Sequence, residues 1–239
     1  MLRLSVSIQC EKVHNVNSVT TQLISGNGDP IVVSEKTIAR LSLYRRLLEE
    51  LAAQDTDSLY SHQLAKMTGK TAAQVRRDIM STGYSGTPQR GYDVRDLIAS
   101  IDGFIDAPDG QAAALIGVGN LGRALLAYFT SRRPKLRIVA SFDSDEQKVD
   151  RVIHGVRCHQ MDDLLDVIEE HGVTVGIITV PASDAPKVAD QLFKVGIRGI
   201  LNFAPVPLKA PPHVYLENVD MTASLETVAY YAGKKPRGR

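Results

Sequence analysis

Three glycines in Gly117-Val118-Gly119-Asn120-Leu121-Gly122 stand at the spacing of a turn that can receive a pyrophosphate. The apolar run Ala112 to Ile116 precedes them, and the helix-like stretch Arg123 to Thr130 follows. In that setting Gly117 turns tightly off a strand, Gly119 lets bare backbone approach phosphate oxygens, and Gly122 lets the helix pack close to the sheet. The helix start then offers unpaired N–H groups to an anion. Glycine supplies 18 of the 239 residues, so the spacing alone is weak and an ordinary strand-to-helix turn is a fair alternative. Asp143 adds weight. It lies about 21 residues past Gly122, at the end of the apolar run Leu136 to Phe142. A carboxylate there accepts hydrogen bonds from both hydroxyls of an adenosine ribose and repels a 2′-phosphate, favouring NAD over NADP. Taken alone, Asp143 is equally a solvated turn residue in Asp-Ser-Asp.

These residues need a parallel sheet to bring them together. After Asp143 the alternation of strand and helix patterns continues: a helical spacing over Met161 to Glu170, a buried strand over Val173 to Val180, and a helix to Val195 that Ser183 can cap. Gly196 to Phe203 and His213 to Leu216 read as further strands, making roughly five parallel strands in all. Ligands of such sheets lie at the carboxyl ends of the strands, which nominates Gly119, Asp143, Thr179, Val180, Pro181, Asn202 and Phe203. From Thr179 onward, plain loop packing stays open as an alternative.

The N-terminal half carries a different pattern. Residues 1–33 are polar and broken by Gly26-Asn-Gly-Asp-Pro30, and an irregular, loosely attached extension is expected. Ser34 can cap a helix in which Ile38, Leu41, Tyr44, Leu47, Leu48 and Leu51 recur at helical spacing. A second helix spans Ser61 to Met67 and ends at a Gly69-Lys70 turn. Thr71 caps a third, with Val75 and Ile79 inward and Gln74, Arg76, Arg77 and Asp78 elsewhere.

Two short helices joined by a glycine turn have the form of a helix-turn-helix, although a small helical bundle has the same outline. The segment from Lys66 to Arg90 carries a net charge of +4 inside a chain whose net charge is +1, and such a patch attracts phosphate. Gly83 to Tyr92 is rich in glycine and aromatic residues and precedes Val94 and Leu97 as a short β wing would. Asp106 to Gly110 reads as the linker between a domain over residues 34–106 and one over 111–216. Met221 to Tyr231 is a last helical pattern, and 233–239 a basic, broken tail.

The rest is bounded by composition. At 44% hydrophobic residues the chain can fill one large core or two small ones. Cys10 and Cys158 are far apart and suggest neither a disulfide framework nor metal spacing, which fits a reducing compartment and a cytoplasmic protein. No apolar stretch approaches the roughly 20 residues of a membrane span. Met1 to Asn15 lacks a signal-like apolar core.

Taken together, Arg40-Leu-Ser-Leu-Tyr44 with Leu48-Glu-Glu-Leu51, Gln74-Val-Arg-Arg-Asp78, Gly91-Tyr92, the glycine turn, Gly199-Ile-Leu-Asn-Phe-Ala-Pro205 and Glu217-Asn-Val-Asp220 are similar to the Rex family of bacterial redox-sensing transcriptional repressors. The resemblance runs from Thr37 to about Tyr231. It implies an α/β chain with a winged-helix domain, a Rossmann-like NAD(H)-binding domain and a C-terminal helix, residues 217–232, swapped onto the partner of a homodimer. It also implies control of operator binding by the NADH to NAD⁺ ratio. DNA contacts would then fall to Lys70, Thr71, Gln74, Arg76, Arg77 and, on the wing, Arg90.

This chain departs from the family at the wing, where Thr87 and Pro88 stand in place of basic residues, and just before it, where Ser81-Thr82 replaces an aromatic pair. Met221 takes an aromatic position near the nicotinamide and remains apolar. By position, Asp220 of one chain would meet Arg46 and Tyr128 of the other as a hinge contact. Taken alone, Arg46 is an exposed residue that can pair with Glu50.

A small NAD-dependent dehydrogenase is the main competing reading. It needs an acid or base beside the nicotinamide, and His154, His159, His171 and His213 sit in connecting segments without evident carboxylate partners. A regulator that senses another nucleotide or an acyl-CoA is the third reading, against which Asp143 weighs. No catalytic or metal-ligating residue is nominated.

Overall fold

The fold was analysed in a computed structural model that describes residues 22–24, 30–130 and 135–234. Much of the N-terminal extension and the end of the basic tail therefore lie outside the described residues. The part of the extension within them is not irregular: β1 (Gln22–Ile24) pairs antiparallel with β2 (Pro30–Val32).

Next comes α1 (Glu35–Ala52), whose Thr37 N–H donates to the Ser34 hydroxyl at 3.2 Å. Then follow β3 (Ser58–Leu59), α2 (Ser61–Thr68), α3 (Ala72–Met80) and β4 (Tyr92–Asp93). Gly69 ends α2 in the left-handed conformation, φ 63°, which glycine adopts at no steric cost. Thr71 caps α3, accepting from Gln74 N at 3.1 Å. A fourth helix, α4 (Val94–Ile105), follows the wing, where the sequence pointed to Val94 and Leu97 without assigning an element. Its Val94, Leu97 and Ile101 join Leu41, Tyr44 and Leu48 of α1 in one buried core.

Asp78 is a correction to the helical reading. It is buried at 2% exposure, because Arg40, Tyr44 and Gln74 all bond its carboxylate. Helical spacing placed it on the polar face; a guanidinium on α1 supplies the partner that lets a charge enter the core.

The linker leads into β5 (Gln111–Ile116), α5 (Asn120–Phe129), β6 (Leu136–Phe142), β7 (Val152–Ile153) and β8 (Val156–His159). A 3₁₀ turn at Met161–Asp163 opens α6 (Leu164–Glu170), and β9 (Val173–Ile178), α7 (Ala185–Lys194), β10 (Gly199–Asn202), β11 (Tyr215–Asn218) and α8 (Met221–Ala232) complete the order. The sheet has seven strands in the order β11-β10-β9-β5-β6-β8-β7. Every adjacent pair is parallel except β7 with β8. Roughly five parallel strands were expected; β7 and β8 were missed because they are too short, between polar residues, to show a period. The last strand also starts two residues later than expected, at Tyr215. Ser183 does not cap α7, whose start is set by Asp184 with a proline in the first turn.

Candidate functional site

Gly117 directly follows β5 with φ at +98°, a left-handed conformation that favours glycine, and a side chain there would press on the Thr179 carbonyl and on Val180 at 2.8 Å. The hydroxyl of Thr179 donates to the Gly117 carbonyl at 2.6 Å, and its N–H to that of Ile116 at 2.8 Å. Gly122 is buried in the first turns of α5, where a Cβ would collide with the Gly117 carbonyl. Both glycines therefore serve close packing, as spacing predicted. Gly119 and Asn120, at the start of α5, are exposed, so the first amides of that helix face outward.

Asp143 follows β6 and reaches across to this turn. Its Oδ2 accepts from the Val118 N–H at 2.7 Å, and its Oδ1 from that of Asp145 at 2.9 Å. Lys148 approaches Oδ2 at 3.2 Å and Asp145 at 3.4 Å. Burial would lower the Lys148 ammonium, but the two carboxylates outweigh it and hold it above its usual value. The carboxylate is thus bonded to the glycine turn upstream of it.

Val180 and Pro181 continue from β9 at the same carboxyl edge, and Phe203 from β10. Asn202 is different. It is 1% exposed, and its amide donates to Val206 O and Asn218 Oδ1, each at 2.9 Å, while Ala204 N donates to its Oδ1 at 3.0 Å. Its side chain shapes the loop that carries Phe203 and leaves little for a ligand. Met221 is half exposed at the start of α8.

At the other end of the chain, Lys70, Thr71, Arg76 and Arg77 are exposed on or beside α3. Gln74 is not a free reader: its amide donates to Asp78 at 2.8 Å and its carbonyl accepts from Arg77 at 3.1 Å. Arg76 donates to Ser61 Oγ at 3.1 Å, tying α3 to α2. Because Arg40 neutralises Asp78, the surface of α3 keeps its positive character. The wing is a tight loop closed by the Thr87–Gly91 bridge, with the Tyr60 hydroxyl donating to Gln89 O at 2.8 Å and Arg90 exposed near its tip. Where an aromatic pair was expected, the Thr82 hydroxyl lies 2.8 Å from that of Ser100 on α4. A polar contact thus holds the end of α3.

Arg46 and Asp220 are exposed, Asp220 capping α8 by accepting from Ala223 N at 2.8 Å, and Tyr128 lies edge-on to Phe129. Sequence reasoning overlooked the neighbouring Arg45, which is 3% exposed. It bonds Asp102 and Asp106, each at 3.0 Å, and so ties α1 to the end of α4 where the linker begins. Its spacing, four after Leu41 and three before Leu48, put it beside the buried stripe of α1, whereas Arg46 falls on the exposed face. His159 is on β8 and not in a loop, tilted against Phe142 at 5.7 Å; burial, with Arg157 nearby, lowers its affinity for a proton.

A cavity of about 380 Å³ lies at the opposite, amino edge of the sheet, lined by residues such as Gly110, Lys135, Arg137 and His171. It is remote from the glycine turn, whereas the general rule for parallel sheets points to the carboxyl edge. Among the described residues no cluster of His, Cys, Asp and Glu is placed to hold a metal, and no helix is long and apolar enough to cross a membrane.

A winged-helix domain with an arginine-bearing third helix, joined to a dinucleotide-type sheet, defines the class of DNA-binding regulators with a nucleotide-sensing domain. Comparison with known proteins agrees. A putative DNA-binding protein N-terminus model matches residues 32–79, and a CoA binding domain model matches 110–206. The redox-sensing transcriptional repressor Rex of Syntrophobacter fumaroxidans is 43% identical over 196 residues, 82% of this chain and 93% of that protein. That of Clostridium beijerinckii is 38% identical, over 83% of this chain and 94% of its own. Among solved structures, the Rex-family repressor RSP in complex with NAD⁺ and operator DNA superposes with a TM-score of 0.77 at 33% identity, over 84% of this chain and 93% of RSP. RSP in complex with NADH gives 0.74 at 32%. The chain belongs to the Rex family of redox-sensing transcriptional repressors.

Proposed function

We propose that this chain is a cytoplasmic, non-enzymatic repressor that binds operator DNA as a homodimer when NADH is scarce and releases it when NADH binds. One observation carries the reading: Asp143 is bonded to the Val118 amide of the glycine turn, in a chain whose third helix presents Arg76 and Arg77. RSP, of the same family, is known in complex with NAD⁺ and operator DNA and with NADH, which supports both ligands here.

The residues fit a dinucleotide: exposed amides from Gly119 onward for the pyrophosphate, Asp143 for the ribose, and Thr179, Val180, Pro181 and Phe203 along the same edge. Bound there, the dinucleotide supplies a nicotinamide that is cationic when oxidised and neutral when reduced. Phe203, and Met221 from a partner chain, would cover that ring with apolar surface and no anion, so the cation is desolvated without compensation and the reduced form is favoured. A ligand shifts an equilibrium only through such differential affinity, and couplings of about 1 to 3 kcal/mol change affinity roughly 5- to 150-fold.

The helix α8 supports the dimer. Met221, Leu225, Val228 and Tyr231 share a face, all more than half exposed, and the apolar surface of a second copy would cover them. Its swap would bring Asp220 to the partner's Arg46 and Tyr128. Closure of the two nucleotide domains then moves the paired α3 helices from the roughly 34 to 36 Å spacing of successive major grooves. The CoA reading is disfavoured because Asp143 repels a phosphorylated ribose.

The test is a gel shift with the full chain on a palindromic promoter fragment. NADH should release the fragment and NAD⁺ should not. A complex equally stable under both nucleotides overturns the proposal.

A further inference from the structure

Asp143 is 8% exposed, and its carboxylate is already nearly filled. Oδ2 accepts from Val118 N at 2.7 Å and Lys148 Nζ at 3.2 Å, and Oδ1 from Asp145 N at 2.9 Å. An ionised carboxylate has about four acceptor sites, so one remains where the ribose reading asks for two. Two of the three bonds come from backbone amides held by the turn and the loop. The third comes from a flexible side chain that has a second carboxylate, Asp145, at 3.4 Å. Lys148 is therefore the partner that can yield.

An ammonium has three donors and no acceptor. Once off Oδ2, Nζ stays tethered beside Asp145, as a donor toward the 2′ oxygen of the ribose. Against a 2′-hydroxyl it offers one more bond. Against a 2′-phosphate it offers a charge-assisted pair, which offsets the repulsion from Asp143. Arg123, at the start of α5, also bears on Asp145 and adds to the positive side.

From this juxtaposition of Lys148 with Asp143 and Asp145 we infer that Lys148 is a specificity-determining residue that brings NADPH within measurable affinity of a site otherwise selective for NADH. The inference rests on the proposed function.

The full chain and its Lys148→Met variant, which keeps the apolar stem, are titrated with NADH and with NADPH by nucleotide fluorescence. The variant loses about tenfold more in NADPH affinity than in NADH affinity, the scale of one charge-assisted hydrogen bond. Lys148→Arg keeps both. Retained NADH binding also reports that each variant is folded. An NADPH to NADH affinity ratio unchanged in Lys148→Met overturns the inference, as does a parent that binds NADH but no NADPH at millimolar concentration; the proposed function stands in either case. A parent that binds neither nucleotide overturns both.

Discussion

Arg40 on α1 grips Asp78 on α3 with two bonds, 2.6 Å from Nε to Oδ2 and 2.7 Å from Nη2 to Oδ1. The Tyr44 hydroxyl donates to the same carboxylate at 2.9 Å, so the helix that presents Arg76 and Arg77 is clamped to the first helix of its domain. Burial alone would raise the Asp78 carboxyl, but these bonds and Gln74 outweigh it and hold it below its usual value of 3.8. Burial, reinforced by Asp78, raises the Tyr44 hydroxyl.

Asp78→Ala leaves Arg40 and Tyr44 facing an empty acceptor and should cost about 3 kcal/mol of stability, at the lower end for a broken buried pair because Arg40 is 20% exposed. Urea unfolding measures it. A folded-state value below the unfolded one means that the charge contributes fully above about pH 5 and is lost as pH falls through the folded value. The gap between parent and variant should therefore narrow below about pH 4. A constant gap across that range would count against the charge.

Gly122→Ala places a methyl group against the Gly117 carbonyl, a backbone atom with no room to yield. A stability loss of about 1 to 3 kcal/mol is expected, with NADH affinity reduced more than tenfold as the turn shifts. Thermal melting and nucleotide fluorescence check the two effects.

Arg77→Ala removes an exposed cation from α3, whose guanidinium donates to the Gln74 carbonyl at 3.1 Å. If it meets phosphate, operator affinity should fall uniformly across sequences and the salt slope should decrease by about 1.8, roughly 0.9 for each protomer of the bound dimer. Binding titrated against salt decides. An unchanged slope with altered sequence preference would instead make Arg77 a base reader.

Leu225→Asp puts a charge in the middle of the apolar face of α8, where Leu225 is 70% exposed. Sedimentation should report a monomer at concentrations where the parent is a dimer, with operator affinity lost because half-sites are no longer bridged. The single chain itself should melt within about 1 kcal/mol of the parent, since the side chain is unburied there.

Asp220→Ala should weaken the coupling between NADH and operator by several-fold while NADH affinity changes little, as α8 loses both a cap and its proposed hinge contact. Gel shifts over a range of NADH concentrations measure it. Operator release that tracks NADH as in the parent would remove Asp220 from the hinge.

The glycine turn was legible because Gly117 and Gly122 answer local demands, a positive φ and a helix packed on its own strand, that a short motif expresses in full. The N-cap at Ser34 and the cap at Thr71 were legible for the same reason. Asp78 was misplaced and Arg45 overlooked because whether a charge is buried depends on a partner 38 and 57 positions away, respectively. Asn202 was taken for a ligand residue because its place at a strand end is visible in sequence, while the carbonyls that occupy its amide belong to a loop folded back over it. By itself, then, the order of residues determined the two domains' character, the tight glycine turn and the acid bonded to it. Only the tertiary structure decided which polar groups are spent inside the protein and which are left for a ligand, because hydrogen-bond capacity is used up by neighbours in space and not in sequence.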